Sequence, residues 1–229
     1  MPDETAKAQI ADTKTALLDA AGHLFAERGV AGASLRAITT AADANLASVN
    51  YHFGSKQGLI RAVLARRLDP LNRRRFQLLE RCLNSGEQSL ELQDILHAFV
   101  EPAITMMHSQ EPGDREFVQF LGRALADPAN DLRSLIVEEF KEVIERFTQA
   151  LAQALPSIPP QEIAWRFHFM VGAMAHTVAA GYLVENRLGH LGIKDLQGPE
   201  TVTRRLVSFL ESGWRSPASQ RERQEMVRP

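Results

Sequence analysis

The sequence predicts an all-α fold, and three observations carry that prediction. Leu, Ala, Glu and Arg dominate its 229 residues while Tyr and Trp number only 2 each, a balance that favours helix over strand. Apolar residues recur at i, i+3, i+4 and i+7 in one segment after another. No stretch alternates apolar and polar side chains as a half-buried strand does, and no internal repeat is present.

Leu17, Ala20, Ala21, Leu24 and Phe25 line one face of a first helix over 13–28, and Gly29 ends it as a C-cap. Ser34 caps a second helix in which Leu35 and Ile38 share a face. Asp43 and Asn45 then supply turn chemistry. Val49 and Phe53 form the buried side of a third, short helix. Gly54 and Ser55 break it, and Ser55 caps a long, arginine-rich fourth helix carried by Leu59, Ile60, Val63 and Leu64.

Beyond SGEQS (85–89) the pattern stays helical, with breaks at EPGD (111–114), DPAND (127–131), PSIPP (156–160) and GHLGIKDLQGP (189–199). These cut the body into helices over 90–109, 115–126, 131–155, 161–188 and 200–213, the first kinked at Pro102. The domain division is therefore 1–55 for a small helical head and 56–216 for a helical body. The polar stretch 217–229 has little to bury and reads as a disordered tail.

A single cysteine, Cys82, excludes an internal disulfide framework and any Cys-rich metal site, and it fits a reducing compartment. MPDETAKAQI lacks a secretory signal's apolar core, and no window reaches the length of a membrane span, so a soluble cytoplasmic protein is expected. Net charge is only −2, but it is unevenly placed. Residues 1–75 carry 11 Lys and Arg against 7 Asp and Glu, whereas 76–229 carry 15 against 21. A basic head precedes an acidic body. No nucleophile elbow, phosphate loop or HExxH helix occurs. His97 with Glu101, and His168 with His176, lack a third ligand. No enzyme activity, metal or cofactor is expected.

In 34–53 two short helices meet at a tight turn, and the second buries Val49 and Phe53 while exposing small and polar side chains. That is helix-turn-helix logic: the first helix braces the second, whose free face can enter a major groove. Asn50 can pair with adenine, Ser48 and Tyr51 can donate to phosphate, and Lys56 is a further phosphate partner. The same pattern also suits a helical hairpin with a solvated face, so spacing alone leaves the two readings level.

The residues themselves break the tie by resemblance. SLRAITTAA (34–42), ANLASVNYHFGSKQGL (44–59) and the first-helix run LLDAAGHLFAERGV (17–30) resemble the signature of TetR-family transcriptional regulators, over 13 to about 64. The resemblance implies a one-component repressor that binds double-stranded DNA and is coupled through its fourth helix to a helical, dimerising, effector-binding body. Matched residue by residue, base-reading positions fall on Arg36, Leu46, Ala47 and Asn50. Phosphate positions fall on Ser34, Ser48, Tyr51, His52 and Lys56, and Asn45, at the head of the third helix, completes the DNA-binding set. Arg36 can take guanine bidentately; Leu46 and Ala47 offer only apolar contact, as to a thymine methyl. Asp43 stands where glycine is common, and Leu46 where a polar residue is frequent, so Leu46 can equally be core.

Phe99, Met106, Phe117, Phe120, Phe167, Met170 and Met174 enrich the body in adaptable apolar side chains. Ordinary core is one reading; an effector pocket is the other. Arg123, His168 or His176 would orient a polar head group there. VNYHFGSKQGL and EFVQFLGRALADP further resemble the fatty-acid-responsive, PsrA-like branch, which implies a fatty acyl effector, with a drug-like efflux substrate as its rival. Gly172, Ala175 and Ala179 permit close helix approach, and Val202, Leu206, Phe209 and Leu210 line the last helix, a pattern that suits packing within the chain as well as against a partner. The family's four-helix interface falls on these two helices, which implies a homodimer and a palindromic operator. The alternative of a different class is a helical ligand carrier or enzyme that keeps the helix-turn-helix as scaffold.

Overall fold

The computed structural model describes residues 4–84, 90–111, 113–126, 132–189 and 198–217. The expected breaks at 85–89 and 127–131, most of that at 189–199, and the tail from 218 onward lie outside the described residues. Among the described residues every regular element is a helix: α1 Glu4–Gly32, α2 Leu35–Ala41, α3 Leu46–Phe53, α4 Lys56–Leu83, α5 Leu92–Met107, α6 Asp114–Ala126, α7 Leu132–Glu139, α8 Lys141–Ala154, α9 Pro160–Gly189 and α10 Pro199–Arg215. Two compact units result, 1–70 with 109–139 and 71–108 with 140–229.

In the first unit α1 packs on α2, α3 and α6. Leu17, Ala21, Leu24, Phe25, Ile38, Val49, Leu59 and Leu64 are buried together there. α1 begins earlier than its apolar pattern and loses helical geometry at Gly29 (φ 70°), the residue whose lack of a Cβ marked the break. Within this unit ion pairs tie α4 to its neighbours: Arg66 to Asp19 of α1 at 2.8 Å, Arg67 to Asp114 of α6, and Arg61 to Glu138 of α7 at 3.0 Å. The first and third are solvent-exposed and each contributes ~1 kcal/mol or less; the half-buried Arg67–Asp114 pair is the better shielded.

The second unit is built on α5, which packs against α8, α9 and α10. Phe99 meets Phe147 and Phe167 edge to face, with ring centroids 5.2 and 5.3 Å apart. Such pairs add roughly 0.5–1.5 kcal/mol beyond area burial. Pro102 lies inside α5, as expected. So does Pro70 inside α4, where its missing N–H leaves the carbonyl of Arg66 without a helical donor; the boundary between the units falls at this residue.

One expected helix is two. The stretch 131–155 divides at Phe140 (φ −95°, ψ 1°) into α7 and α8. No proline or glycine marks the break. Phe140 instead places its ring 5.6 Å from the Arg75 guanidinium, a tertiary contact that local pattern does not encode.

Candidate functional site

Capping defines the paired helices α2 and α3. Ser34 Oγ accepts from the Ala37 amide at 3.1 Å and opens α2. Asn45 Oδ1 accepts from the Ser48 amide at 2.8 Å and from Ser48 Oγ at 3.1 Å, opening α3. Each cap contributes about 1 kcal/mol. Asp43 takes a left-handed φ of 47° between the helices, a conformation in which Asp ranks behind Gly and Asn but is tolerated. The departure from glycine therefore leaves the turn intact.

Val49 is fully buried and Phe53 half-buried, which fixes the rotation of α3. Leu46, Ala47, Asn50 and Tyr51 then share one exposed stripe, Tyr51 at 75 % exposure and Leu46 at 53 %. The exposure decides the open question over Leu46: it is not core. Arg36 is exposed at the start of α2, and Ser48 and His52 flank the stripe half-buried. Tyr51 and His52 meet edge to face at 5.0 Å.

Lys56 differs from expectation in part. Its Nζ donates to the Val30 carbonyl at 2.8 Å, so it ties the start of α4 to the end of α1, keeping two further N–H groups for a phosphate. Asn45 and Ser34 likewise spend one acceptor each on backbone caps. The end of α3 is held by two glycines. Gly54 adopts φ 73°, ψ −38°, a region essentially reserved for glycine. A Cβ on Gly58 would stand 1.9 Å from the Phe53 carbonyl oxygen. Ser55 Oγ caps this turn by accepting from the Gly58 amide at 3.1 Å.

The expected effector residues divide. Phe99, Phe167, Met170 and Met174 are buried in the second unit, with Met106 half-buried on α5. Phe117 and Phe120 are buried on α6 of the first unit. There Phe117 joins Leu18, Gly22, His23 and Val63 around a cleft of about 620 Å³, whose guanidiniums, Arg66 and Arg67, already have Asp19 and Asp114 as partners. The side chain of Arg123 lies outside the described residues. His168 and His176 are corrections: both are exposed, the His168 ring lying 6.0 Å from Trp165 and 6.1 Å from Phe169 on the outer side of α9. An imidazole on that face cannot orient a ligand in the interior.

The cation that does stand among the interior rings is Arg75, which is 1 % exposed. Its Nε donates to the Phe99 carbonyl at 2.9 Å, Nη1 to Asn72 Oδ1 at 3.3 Å, and Nη2 reaches Met174 Sδ at 3.5 Å. The guanidinium carbon lies 4.4 Å from the Phe99 ring centroid. Burial pushes the guanidinium pKa down to about 9, still charged at neutral pH. Arg73 and Arg74 of the arginine-rich fourth helix are exposed, whereas Leu68, Leu71, Arg75 and Leu79, spaced i, i+3, i+7 and i+11, share the buried face of α4. Helical period was the available signal.

The dimer residues also divide. Leu206, Leu210 and Ala175 are buried within the single chain. The first two belong to the α10 face that also buries Thr203, Val207 and Trp214, so they are corrected to intrachain core. Gly172 and Phe209 face outward, Phe209 at 69 % exposure, with Val202 and Ala179 half-buried. Trp165 and Phe169, unassigned from sequence, complete the outer surface at 57 % and 63 % exposure. Trp165, His168, Phe169, Gly172 and His176 follow i, i+3, i+4, i+7, i+11, a stripe the sequence could have disclosed. Nothing lies within 4 Å of a Cβ built on Gly172.

Among the described residues no helix is long and apolar enough to cross a membrane, and no three His, Cys, Asp or Glu side chains are grouped to hold a metal. Two family profiles match the chain: "Bacterial regulatory proteins, tetR family" over 17–63 and "Tetracyclin repressor-like, C-terminal domain" over 97–213. The fold is similar to that of NalD, the secondary repressor of the MexAB-OprM multidrug efflux pump in Pseudomonas aeruginosa, at 20% identity over 89% of this chain and 97% of that one, TM-score 0.59. It is similar to SmeT in its triclosan complex at 19% identity over 90% and 96%, TM-score 0.60. The ketosteroid transcriptional regulator KstR2 of Mycobacterium tuberculosis shares 17% identity over 87% and 93%, TM-score 0.55. No curated protein matches the chain.

Proposed function

The chain belongs to the tetR family of bacterial regulatory proteins, and on that premise we propose a homodimeric repressor that grips a palindromic operator and releases it when an apolar or amphipathic effector binds. That it is a ligand-responsive, DNA-binding transcriptional regulator and not an enzyme follows from the family. The reading residues, the direction of control, the dimer face and the effector are the proposal.

One observation carries it: Leu46, Ala47, Asn50 and Tyr51 form an exposed stripe on a short helix whose opposite side is locked by Val49. A helix fixed in rotation can hold base-reading groups at the tolerance that hydrogen bonding demands. In this reading Asn50 pairs with adenine and Arg36 with guanine, while Ser34, Ser48, Tyr51, His52 and Lys56 meet phosphates, with Asn45 setting the start of the helix. The division into a reading head, 1–55, and an effector and dimerisation body, 56–216, accompanies it. Release requires unequal effector affinity for the gripping and non-gripping states.

A fatty acyl compound is the leading effector, supported by the buried Phe99, Phe147, Phe167, Met170 and Met174, flexible and aromatic groups that adapt to a chain. A drug-like efflux substrate is the second reading.

The test is a pair of substitutions titrated on operator and scrambled DNA across a salt series. Asn50→Ala should relax preference at one base pair by about 1–3 kcal/mol and leave affinity for scrambled DNA unchanged. Lys56→Met should weaken both DNAs and lower the salt slope by roughly 0.9 for each phosphate left without its ammonium partner. Equal losses for Asn50→Ala on every sequence would remove it from the reading surface.

A further inference from the structure

We propose that the effector carries a negative charge and that Arg75 is the residue that binds it. The inference rests on the regulator reading above and narrows it to anionic ligands, carboxylates first.

Among the described residues of the second unit, two buried guanidiniums differ in how their charge is met. Arg166 is 6 % exposed and pairs with Glu162 at 2.6 Å, while also donating to the Trp214 carbonyl. Its charge is neutralised where it sits. Arg75 is more deeply buried, and no carboxylate among the described residues pairs with it. Glu101, on the neighbouring α5, pairs with the exposed Arg74 at 3.7 Å. An isolated charge in an apolar interior is strongly unfavourable unless something supplies the opposite charge, and nothing in the described chain does.

The remaining donors match a carboxylate. A guanidinium has five N–H groups; Nε is committed to Phe99 and one N–H each on Nη1 and Nη2 to Asn72 and Met174. Each terminal nitrogen therefore keeps one N–H without an acceptor, and two parallel N–H groups are what bidentate carboxylate binding uses. The weakest of the existing contacts is the thioether of Met174, a flexible side chain that can rotate away. Phe99, which lies under the guanidinium, also meets Phe147 and Phe167, so an anionic head at Arg75 would leave its apolar tail against aromatic rings. A purely structural role explains the contacts to Phe99, Asn72 and Met174 but leaves the remaining N–H on each terminal nitrogen unused.

The test uses the full chain and ligands with matched tails: dodecanoate, dodecanamide and dodecyltrimethylammonium, with 3-phenylpropionate, its amide and its amine as an aromatic set. Binding is measured by competition titration and thermal shift in the absence of DNA. In at least one set the carboxylate should bind roughly tenfold or more tightly than its neutral and cationic counterparts. In Arg75→Met that preference should vanish, and the ligand-free variant should melt about 3–10 °C higher, because an uncompensated buried charge is gone. Arg75→Lys covers the case of a Met variant that does not fold: it keeps the charge but not the fork, so carboxylate affinity should fall while cations stay excluded.

Equal or tighter binding of the amides or amines, no binding of either carboxylate, or a carboxylate preference that survives in Arg75→Met would each overturn the proposal. DNA binding by the ligand-free protein is measured alongside. Operator binding that persists while the carboxylate preference fails leaves the regulator standing and removes only the anionic effector.

Discussion

Phe169→Asp should turn the protein into a folded monomer and weaken its hold on a full operator by about 10²–10⁴-fold. Phe169 is 63 % exposed on α9, with its ring 5.7 Å from that of Trp165, itself 57 % exposed, and Phe209 of α10 presents a third large apolar surface at 69 %. Aromatic surfaces of this kind are enriched at interface centres, where truncating one costs about 2 kcal/mol or more. In a twofold dimer every substitution acts twice, and here it also places a carboxylate against its own symmetry region. Because Phe169 buries little within its own chain, the helical signal by circular dichroism should be unchanged. Sedimentation across micromolar concentrations reads the outcome. A variant that stays dimeric removes α9 from the interface, whereas a wild type that is monomeric there defeats the symmetric operator altogether.

Gly58→Ala should unsettle the reading head although residue 58 lies outside the base-reading stripe. Its new Cβ would meet the Phe53 carbonyl oxygen at 1.9 Å, and that oxygen belongs to the backbone at the end of α3, not to a side chain that can rotate away. Relief requires α3 and α4 to separate. Overpacking of this kind costs about 1–3 kcal/mol, and a fixed backbone obstacle puts Gly58→Ala at the upper end. Gly54 gives the junction no slack, since φ 73°, ψ −38° already leaves it one residue type. The displacement moves Asn50 and Tyr51 out of register, so operator affinity should fall by more than the stability loss alone explains. Gln57→Ala, one residue away and exposed, is the control and should change neither. A Gly58→Ala protein that melts and binds like wild type would mean that the junction is looser than this geometry.

The parts of this structure legible in the sequence are those governed by local chemistry. Ser34 and Asn45 cap because their short side chains reach an amide three residues on, and Gly29 breaks α1 because a left-handed φ suits no other residue so well. None of this needs the rest of the chain. Direction was harder: Leu206 and Phe209 are both apolar and both on α10, yet one faces inward and the other outward, and only the position of α5 decides which. Phe140 breaks a helix without a breaker residue, and the ring contact with Arg75 joins positions 65 apart. Arg75 itself was obscured by its neighbours. Two exposed arginines beside it suggest a solvated run, while the helical period alone sends the third into the core.

If two copies of this chain read one palindrome, selection of bound sequences from a random duplex pool by the purified protein is the most direct test. The expected result is a single enriched motif with twofold symmetry, its half-sites centred one helical turn, roughly 34 Å, or a multiple of that apart. It should disappear when the same selection is made with Asn50→Ala and Arg36→Ala together. An enriched site without symmetry, or no enrichment at moderate salt, would contradict it.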